Sequence, residues 1–171
     1  MQFTKGVEQA ICIIVILSTQ DKNVPLSSNE ISRRLEVSPS YLKKIIRKLV
    51  VKQIITSVPG NNGGLTLAKS VDKIKNLEII EAMEGPISMF PDTGLIEKAF
   101  NDGEYAEKGM DVLRRMFSRA DELLVGFFSS QTVADLLKES FGTTDIPTLN
   151  WNSTSLSEVL LKRKVKRSEH A

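Results

Sequence analysis

The sequence predicts a mainly α-helical fold with a small β-hairpin wing, in which a winged helix-turn-helix is followed by a long amphipathic helix. Three observations support this prediction. Two short capped helices with a tight turn between them occupy residues 27–53, a β-branched run with a glycine-rich turn follows at 54–68, and an amphipathic segment spans 102–129. A two-stranded hairpin directly after a helix-turn-helix is typical of a wing.

Charge is distributed unevenly along the 171 residues. Residues 1–86 hold 12 Lys and Arg against 8 Asp and Glu, residues 87–140 hold 6 against 10, and residues 141–171 hold 5 against 3. A basic half followed by an acidic half suits a DNA-binding module joined to a part with another role. We expect a winged helix-turn-helix domain at 1–86, a connector at 87–101, a dimerisation helix with a short last helix at 102–140, and a basic, poorly ordered tail at 141–171.

The first helix is predicted from the N-cap Thr4 to about Thr19. Apolar residues fill nearly every position after Gln9, so most sides of this helix should be buried. The apolar run 10–17 has the length of a signal-peptide core. Glu8 before the run, the polar residues 18–22 after it and the lack of a small-x-small cleavage site disfavour a signal peptide. The run is also too short to span a bilayer.

Cys12 and His170 are the only cysteine and histidine. One chain can therefore form neither an internal disulfide nor a Cys/His metal cluster, and a Cys–His catalytic pair is improbable. Cys12 lies in an apolar run, which favours a buried small hydrophobe over a redox-sensing thiol. We expect no catalytic residue, no metal and no cofactor, and a cytoplasmic location.

The helix-turn-helix is predicted from two capping patterns. Ser27 with Glu30 three residues later forms a capping box before a second helix over 28–36. The third helix occupies 38–53, because a serine N-cap is followed by Pro39 at the first helical position.

The third helix is amphipathic. Leu42, Ile45 and Leu49 repeat with helical spacing, while Lys43, Lys44 and Arg47 lie opposite. Such a helix, with small hydroxyl residues at its N-terminus, suits the major groove of DNA, where cations meet phosphates and N-terminal side chains reach bases. The alternative is a surface helix with a solvated basic face.

A hairpin is predicted next, with strands at 54–58 and 65–68. Glycine lets its tip adopt positive φ and approach a phosphate backbone closely. The alternative is an ordinary surface hairpin. The wing residues that we expect to contact DNA are Gly60, Asn61, Asn62, Gly63 and Gly64.

A fourth helix over 77–84, capped by Asn76, should end at Gly85 and Pro86. An apolar pocket between the long helix and the DNA-binding module is a candidate effector site. The simpler interpretation is that the apolar residues there pack in the hydrophobic core and line no pocket. The residues that would line it are Met89, Phe90, Phe100 and Met116.

The long helix over 102–129 has a broad apolar face, which pairing with a second chain would bury. Packing against the chain's own first helix is the alternative, and both can hold together. A short last helix should follow from Thr132. The predicted dimerisation residues are Met110, Leu113, Phe117, Ala120, Leu124 and Phe127.

The tail ends in a cationic run over 162–167, Lys-Arg-Lys-Val-Lys-Arg. A solvated, poorly ordered tail is the interpretation that composition favours. The alternative is a non-specific contact with phosphates.

Together, the stretches SSNEISRRLEVSPSYLKKIIRKL, IITSVPGNNGGLTLAKSVDKIKNLEIIEAMEG and TVADLL resemble the Rrf-two family of bacterial winged-helix regulators, which includes IscR-, NsrR- and CymR-like proteins. The resemblance covers roughly residues 3–140. It implies a homodimer with crossing long helices and two winged helices on a palindromic operator. It also implies that Ser38, Ser40, Tyr41 and Lys43 approach bases.

Three departures from the family pattern are visible. The iron–sulfur members carry three cysteines in the segment that corresponds to 87–108, which has none here, so the chain resembles the cluster-free branch. Pro59 stands where many members have an arginine that can enter the minor groove, and Gln9 stands where an aromatic residue is common.

The sequence therefore predicts a dimeric, sequence-specific regulator of transcription that binds double-stranded DNA, most simply a repressor, with room for a small-molecule or protein effector and no membrane partner. A winged-helix adaptor that binds proteins without specific DNA binding is the alternative. An enzyme is disfavoured, because the sequence holds no nucleotide-binding loop and no Ser/His pair.

Overall fold

The computed structural model describes residues 2–22, 24–60, 63–100, 103–146 and 148–153. The predicted fold class is confirmed, since the described chain is mostly helical with one two-stranded antiparallel sheet. The elements in order are α1 (Lys5–Ser18), α2 (Ser28–Arg34), α3 (Pro39–Val51), β1 (Ile55–Val58), β2 (Gly64–Leu67), a 3-10 turn (Val71–Lys73), α4 (Asn76–Glu84), α5 (Leu95–Ala99), α6 (Glu104–Ser130) and α7 (Val133–Phe141).

Helix α2 begins as predicted but is shorter than predicted. The Ser27 hydroxyl accepts a hydrogen bond from the backbone N–H of Asn29 at 3.2 Å, so Ser27 is the N-cap. Glu30 does not complete the expected capping box, because its carboxylate binds arginines of the same helix. The helix ends before Glu36, whose φ of 53° is left-handed and leads the chain into the turn.

Helix α3 begins at Pro39 after the predicted N-cap. The Ser38 hydroxyl accepts from the backbone N–H of Tyr41 at 3.3 Å. The helix ends at Val51 rather than near Gln53, which has a φ of 53°. The turn after it delivers Ile54 and Ile55 into the core, where both are buried.

The wing hairpin is antiparallel, with Ile55 opposite Leu67 and Val58 opposite Gly64. Its second strand begins and ends one residue earlier than predicted. A further bridge was not expected from the sequence. Leu26, just before α2, exchanges two backbone hydrogen bonds with Leu65 at 3.0 and 2.8 Å, which ties the wing to the helix-turn-helix.

The second half of the chain contains the long helix and the last helix that the sequence predicts. Helix α6 is 27 residues long, and α7 begins with a capping box between Thr132 and Asp135. The segment predicted as a connector contains the short helix α5 (Leu95–Ala99). Helix α4 starts at Asn76 itself, with Lys75 at its N-cap position.

The core is built around α1, as its apolar sequence indicates. This helix contacts α4, β2 and α3. Its most deeply buried positions, Ala10, Ile13 and Ile14, are fully enclosed. The cluster extends through Leu42 and Leu49 of α3, so the dry face of the predicted recognition helix lies against the core and its polar face is left outside.

The first part of the predicted tail is not a loose appendage. Leu149 pairs with Gln20 in a parallel bridge, and Leu149 and Trp151 are both buried in the main core cluster. The expectation of a poorly ordered tail from residue 141 is therefore wrong for this part, because a large aromatic side chain supplies a docking contact. The cationic run at 162–167 lies outside the described residues.

None of the helices in the described ranges combines the length and the apolar content that crossing a bilayer requires.

Candidate nucleic-acid interface

A groove of about 570 Å³ lies between α3, the start of α2 and the wing. One wall carries Pro39, Leu42, Lys43 and Ile46 of α3. The opposite wall is the wing from Ser57 to Gly60 and from Gly63 to Leu65, and Ser27, Ser28 and Asn29 close the end. The predicted recognition helix and the predicted wing therefore border one concave surface.

The outer face of α3 is cationic and exposed. Lys43, Lys44 and Arg47 are exposed, and among the described residues no ion pair engages them. Lys48 is different, because its ammonium group donates a hydrogen bond to the Met83 carbonyl oxygen at 2.6 Å. Three cations of this helix are thus available to phosphates, while the fourth is held against α4.

The N-terminus of α3 presents short polar side chains to solvent. The hydroxyl oxygens of Ser38 and Ser40 lie 3.1 Å apart, and both residues are exposed. Tyr41 is 41% exposed. The cap fixes one acceptor site of Ser38, while Ser40 and Tyr41 are exposed at the end of the helix that would enter a major groove.

The wing glycines have separate physical roles. Gly60 has a φ of 107°, a conformation that favours glycine. A Cβ on Gly63 would lie 2.2 Å from the Val58 carbonyl oxygen, and one on Gly64 would lie 2.4 Å from the Leu26 carbonyl oxygen. Gly64 is thus required by the bridge to Leu26, a reason that the sequence did not reveal. Asn61 and Asn62 lie outside the described residues.

The carboxylate of Glu30 in α2 is paired with arginines of its own helix. The Glu30 carboxylate lies 2.6 Å from the guanidinium groups of both Arg33 and Arg34. The hydrogen bond from Arg33, with further attraction from Arg34, holds the pKa of Glu30 below its ordinary value. Glu30 remains ionised at neutral pH, so α2 adds a modest positive charge beside α3.

The predicted dimerisation residues mostly face the protomer's own body. Met110 is buried, with 1% exposure, and Phe117 stacks on Phe90 with ring centroids 5.0 Å apart. Leu113, Ala120 and Leu124 are half-buried. Met110 is therefore unavailable to a partner, and of the predicted set only Phe127 is clearly exposed, at 59%.

A neighbouring face of α6 carries the exposed apolar surface instead. We call it the outer stripe, and its residues follow helical spacing near one line along the helix. The apolar arc of α6 is broad, and the connector covers only one side of it. The outer stripe consists of Tyr105, Val112, Met116, Leu123 and Phe127, all between 53% and 80% exposed.

The candidate effector residues do not behave as one set. Met89 and Phe90 are half-buried against α6, with the Met89 N–H donating to the Asp121 carboxylate at 3.1 Å. Phe100 and Met116 are 60% and 53% exposed, so the interpretation that they pack in the hydrophobic core is wrong for these two residues.

Cys12 is half-buried in α1. Burial, with a smaller contribution from the negative charge of Glu8, raises the pKa of its thiol above the ordinary value. The structure thus agrees with the interpretation of Cys12 as an unreactive residue.

A helix-turn-helix with a wing and an exposed cationic helix face is typical of winged-helix regulators of transcription. The Rrf2 family, described as iron-dependent transcriptional regulators and the same family that the sequence resembles, matches residues 3–139. The chain belongs to this family, whose members are transcription regulators and not enzymes.

Two relatives place the chain within this family. It is 41% identical over 104 residues to YwgB of Bacillus subtilis, named as an HTH-type transcriptional regulator, across 61% of this chain and 66% of YwgB. It is 32% identical over 140 residues to YffB of Lactococcus lactis, with the same type of name, across 82% of this chain and 89% of YffB.

Solved structures share the fold. CymR of Bacillus subtilis, titled the global cysteine regulator of that organism, superposes with a TM-score of 0.59 at 24% identity and covers 80% of this chain and 95% of its own. A transcriptional regulator from Listeria innocua superposes with a TM-score of 0.62 at 26% identity, covering 82% and 88%.

The family description names iron, but the donor set of this chain does not fit a cysteine-ligated iron cluster. The sequence holds one cysteine, and it lies in α1. Between α4 and α6, Asp92 is held by the Arg114 guanidinium at 2.7 Å. Within the described ranges, no three His, Cys, Asp or Glu residues come together as metal ligands would.

Proposed function

We propose that the chain is a cytoplasmic homodimer that binds a palindromic operator in double-stranded DNA through α3 and the wing, and represses transcription there. The observation that carries this proposal is the row of exposed cations Lys43, Lys44 and Arg47, which form no ion pair with the described residues, beside the groove between α3 and the wing. Phosphate contacts by such residues position a protein on DNA, and the polar N-terminus of the helix reads bases.

The homodimer is supported by the outer stripe of α6. Five large apolar side chains exposed along one helix exceed what a soluble monomer usually leaves in one row. A two-fold pairing of α6 with its copy would cover them and would place two copies of α3 on one duplex. An operator with two-fold symmetry follows from such a dimer.

Repression is the simplest outcome of this geometry, because a dimer that covers a promoter excludes polymerase. A small-molecule or protein effector would relieve it by changing the spacing of the two helices α3. The connector joins the DNA-binding part to the proposed dimer helix, with Phe90 stacked on Phe117 of α6. A change in the spacing of the two helices α3 would be transmitted through this segment.

The first experiment is a pull-down of fragmented genomic DNA on the purified full chain, with sequencing of the recovered fragments. Recovery of a few sites that share an inverted repeat is the expected result. Uniform recovery that vanishes at moderate salt would contradict specific binding, because phosphate contacts alone behave in this way. No DNA recovery at low salt, together with capture of a defined protein partner, would favour the adaptor alternative.

A second experiment assigns the contacts on α3. Lys44→Ala and Arg47→Ala should weaken DNA binding and reduce the slope of log K against log salt by about 0.9 for each phosphate that the variant no longer neutralises. Lys48→Ala is the matched control on the same helix. It should leave the slope unchanged, because the Lys48 ammonium group is bound to the Met83 carbonyl. An unchanged slope for Lys44→Ala and Arg47→Ala would remove these residues from the interface.

A further inference from the structure

A short segment near the end of the described chain docks against α1 and α2. We call residues 149–152 the strap. The Leu149 N–H donates to the Thr19 carbonyl at 2.9 Å, and the Asp21 N–H donates to the Leu149 carbonyl at 3.0 Å. The family match covers residues 3–139, so membership of the family implies no role for the strap.

Trp151 anchors the strap. Its indole N–H donates to the Thr19 hydroxyl at 2.8 Å, and its backbone N–H donates to the Gln20 side-chain oxygen at 2.9 Å. The Arg34 guanidinium carbon lies 4.5 Å from the ring centroid, and the same guanidinium donates to the Trp151 carbonyl at 3.0 Å. These contacts hold the strap in place without any help from the side chain of the next residue, Asn152.

The side-chain amide of Asn152 binds the backbone on both sides of Leu26. Its oxygen accepts from the Ser27 N–H at 3.0 Å, and its nitrogen donates to the Pro25 carbonyl at 3.2 Å. A side-chain amide carries the same donor and acceptor groups as a peptide group, so Asn152 pairs with this segment as a neighbouring strand would. The two bonded groups belong to the two peptide planes that Leu26 shares with its neighbours.

The opposite edges of the same two peptide planes bind the wing. The Leu26 N–H donates to the Leu65 carbonyl at 3.0 Å, and the Leu65 N–H donates to the Leu26 carbonyl at 2.8 Å. Because a peptide group is planar, with its N–H and C=O on opposite edges, each plane is held by Asn152 on one edge and by Leu65 on the other. Rotation of either plane would strain a hydrogen bond on both edges.

This arrangement reaches the candidate DNA-binding groove. Leu65 lies opposite Ser57 in the hairpin, and both residues line the groove between α3 and the wing, as does Ser27. The Leu26 side chain is fully buried, so the core fixes its place, and the orientation of its peptide planes is the freedom that remains. That orientation decides where β2, and with it the wing, stands relative to α3.

We propose that Asn152 is a positioning residue for DNA binding, which fixes the two peptide planes beside Leu26 and, through Leu65, the distance between the wing and α3. The proposal rests on the DNA binding proposed above. Without the Asn152 amide, the two planes can rotate, the bridge between Leu26 and Leu65 opens more often, and the wing leaves its position beside the groove. The pairing of the two strands within the hairpin is unaffected.

Amide hydrogen exchange in the free protein tests whether Asn152 holds the bridge. Asn152→Ala should speed exchange at the Leu26 and Leu65 N–H groups by on the order of tenfold, since two hydrogen bonds that support the bridge are lost. The Ala68 N–H donates to the Ile54 carbonyl at 3.0 Å beside the same hairpin, and it should keep its rate. A general loss of stability would speed exchange at Ala68 as well and would overturn the proposal.

DNA affinity tests whether the position of the wing matters. On a mixed-sequence duplex of about 40 base pairs at low salt, Asn152→Ala should bind roughly fivefold more weakly, with an unchanged salt slope because no cation is removed. Asn150→Ala is the matched control in the same strap. The Asn150 side-chain oxygen accepts from the Asn152 N–H, so this variant leaves both bonds of the Asn152 side chain in place and should bind as the wild type does.

The path through Leu26 is tested by a double variant. Gly64→Ala disturbs the same bridge from the side of the wing, because the added Cβ would lie 2.4 Å from the Leu26 carbonyl oxygen. If both changes act through the bridge, Asn152→Ala with Gly64→Ala should lose less affinity than the two single losses combined. Losses that add in full would mean that Asn152 acts by another route, and the proposal would fail.

The remaining outcomes separate this proposal from the proposed function. Unchanged exchange at Leu65 in Asn152→Ala would mean that Asn152 does not hold the bridge. Faster exchange at Leu65 with unchanged DNA affinity would overturn the positioning role and leave the proposed function intact. If the wild-type chain fails to bind the duplex at low salt, the proposed function fails and the role in DNA binding fails with it, while the exchange rates still decide whether Asn152 holds the wing.

Discussion

Gly64 illustrates how the close approach of two backbone segments can fix the identity of a single wing residue. A Cβ there would press within 2.4 Å of the Leu26 carbonyl oxygen and 2.7 Å of its carbonyl carbon, both backbone atoms. The paired hydrogen bonds between Leu26 and Leu65 would have to lengthen. At this position the identity of the residue is decided by the approach of two backbones.

We expect Gly64→Ala to destabilise the fold by about 1–3 kcal/mol, because a tightly packed pair of backbones must separate. Urea denaturation monitored by circular dichroism measures the change. Thr66→Ala, in the same strand, is the control and should cost less, since it adds no atom. A Gly64→Ala variant as stable as the wild type would show that the bridge is not required.

Cys12 gives a second test at the residue scale. Its raised thiol pKa, due to burial and then to Glu8, leaves little thiolate at neutral pH. We expect alkylation by iodoacetamide at neutral pH to be at least about tenfold slower in the folded chain than in the urea-unfolded chain, and to speed up as pH rises through the raised pKa. Because Cys12 is the only cysteine, all of the measured alkylation reports on this one thiol. Equal rates in the two states would restore the redox-sensing alternative.

At the scale of elements, α2 is held in place by charge as well as by packing. Glu30 binds Arg33 and Arg34 within the helix, and Arg34 continues to the Trp151 ring. The helix is only seven residues long, so its own hydrogen bonds are few and contacts made by its side chains matter.

Glu30→Gln should destabilise the fold by about 1 kcal/mol at neutral pH, a value suited to a partly exposed ion pair. The pKa of Glu30 is lowered in the folded state, so its contribution is present above its unfolded pKa and is lost as pH falls through the folded pKa. The difference between wild type and variant should therefore shrink in acid, as chemical denaturation at several pH values would measure.

The control for this series is Glu36→Gln, which lies beyond the end of α2, and whose carboxylate has no ion pair in the described ranges. Glu36→Gln should not lower the free energy of unfolding at neutral pH to a comparable extent. A Glu30→Gln difference that stays constant down to acid pH would mean that the ion pairs contribute nothing to stability.

At the scale of the molecule, the outer stripe sets the expected assembly. Tyr105, Leu123 and Phe127 are among the most exposed large apolar residues of the described chain. A surface of this kind on α6, adjacent to a side already covered by the protomer's own connector, favours a partner helix.

We expect Leu123→Glu with Phe127→Glu to convert the proposed dimer to a monomer, because two buried carboxylates would face their copies across the two-fold axis. Analytical ultracentrifugation gives the mass. The melting temperature of the wild type should rise with protein concentration, and that of the variant should not. Ser118→Glu, exposed on the same helix outside the stripe, is the control and should stay dimeric. A wild-type chain that sediments as a monomer at every concentration would contradict the dimer.

Most of the helices, several of their caps and the order of the wing could be predicted from sequence, because the forces that set them act within a few residues. The Ser38 cap and the Thr132–Asp135 capping box each join groups three residues apart. The apolar spacing of α3 likewise predicts which side packs inward and leaves Lys43, Lys44 and Arg47 outside.

Tertiary structure alone decided three matters. The indole N–H of Trp151 donates to the Thr19 hydroxyl across 132 positions of sequence, so no local pattern predicts that residues 149–152 dock against α1 and α2. A glycine is needed at position 64 because the Leu26 backbone lies too close for a Cβ atom. The outer stripe of α6 differs from the predicted dimerisation face because the connector covers one side of the broad apolar surface of this helix. Sequence by itself determined the class of protein and the helix proposed to meet DNA, since these depend on local periodicity and charge. Contacts between distant segments determined which of several apolar surfaces stayed exposed.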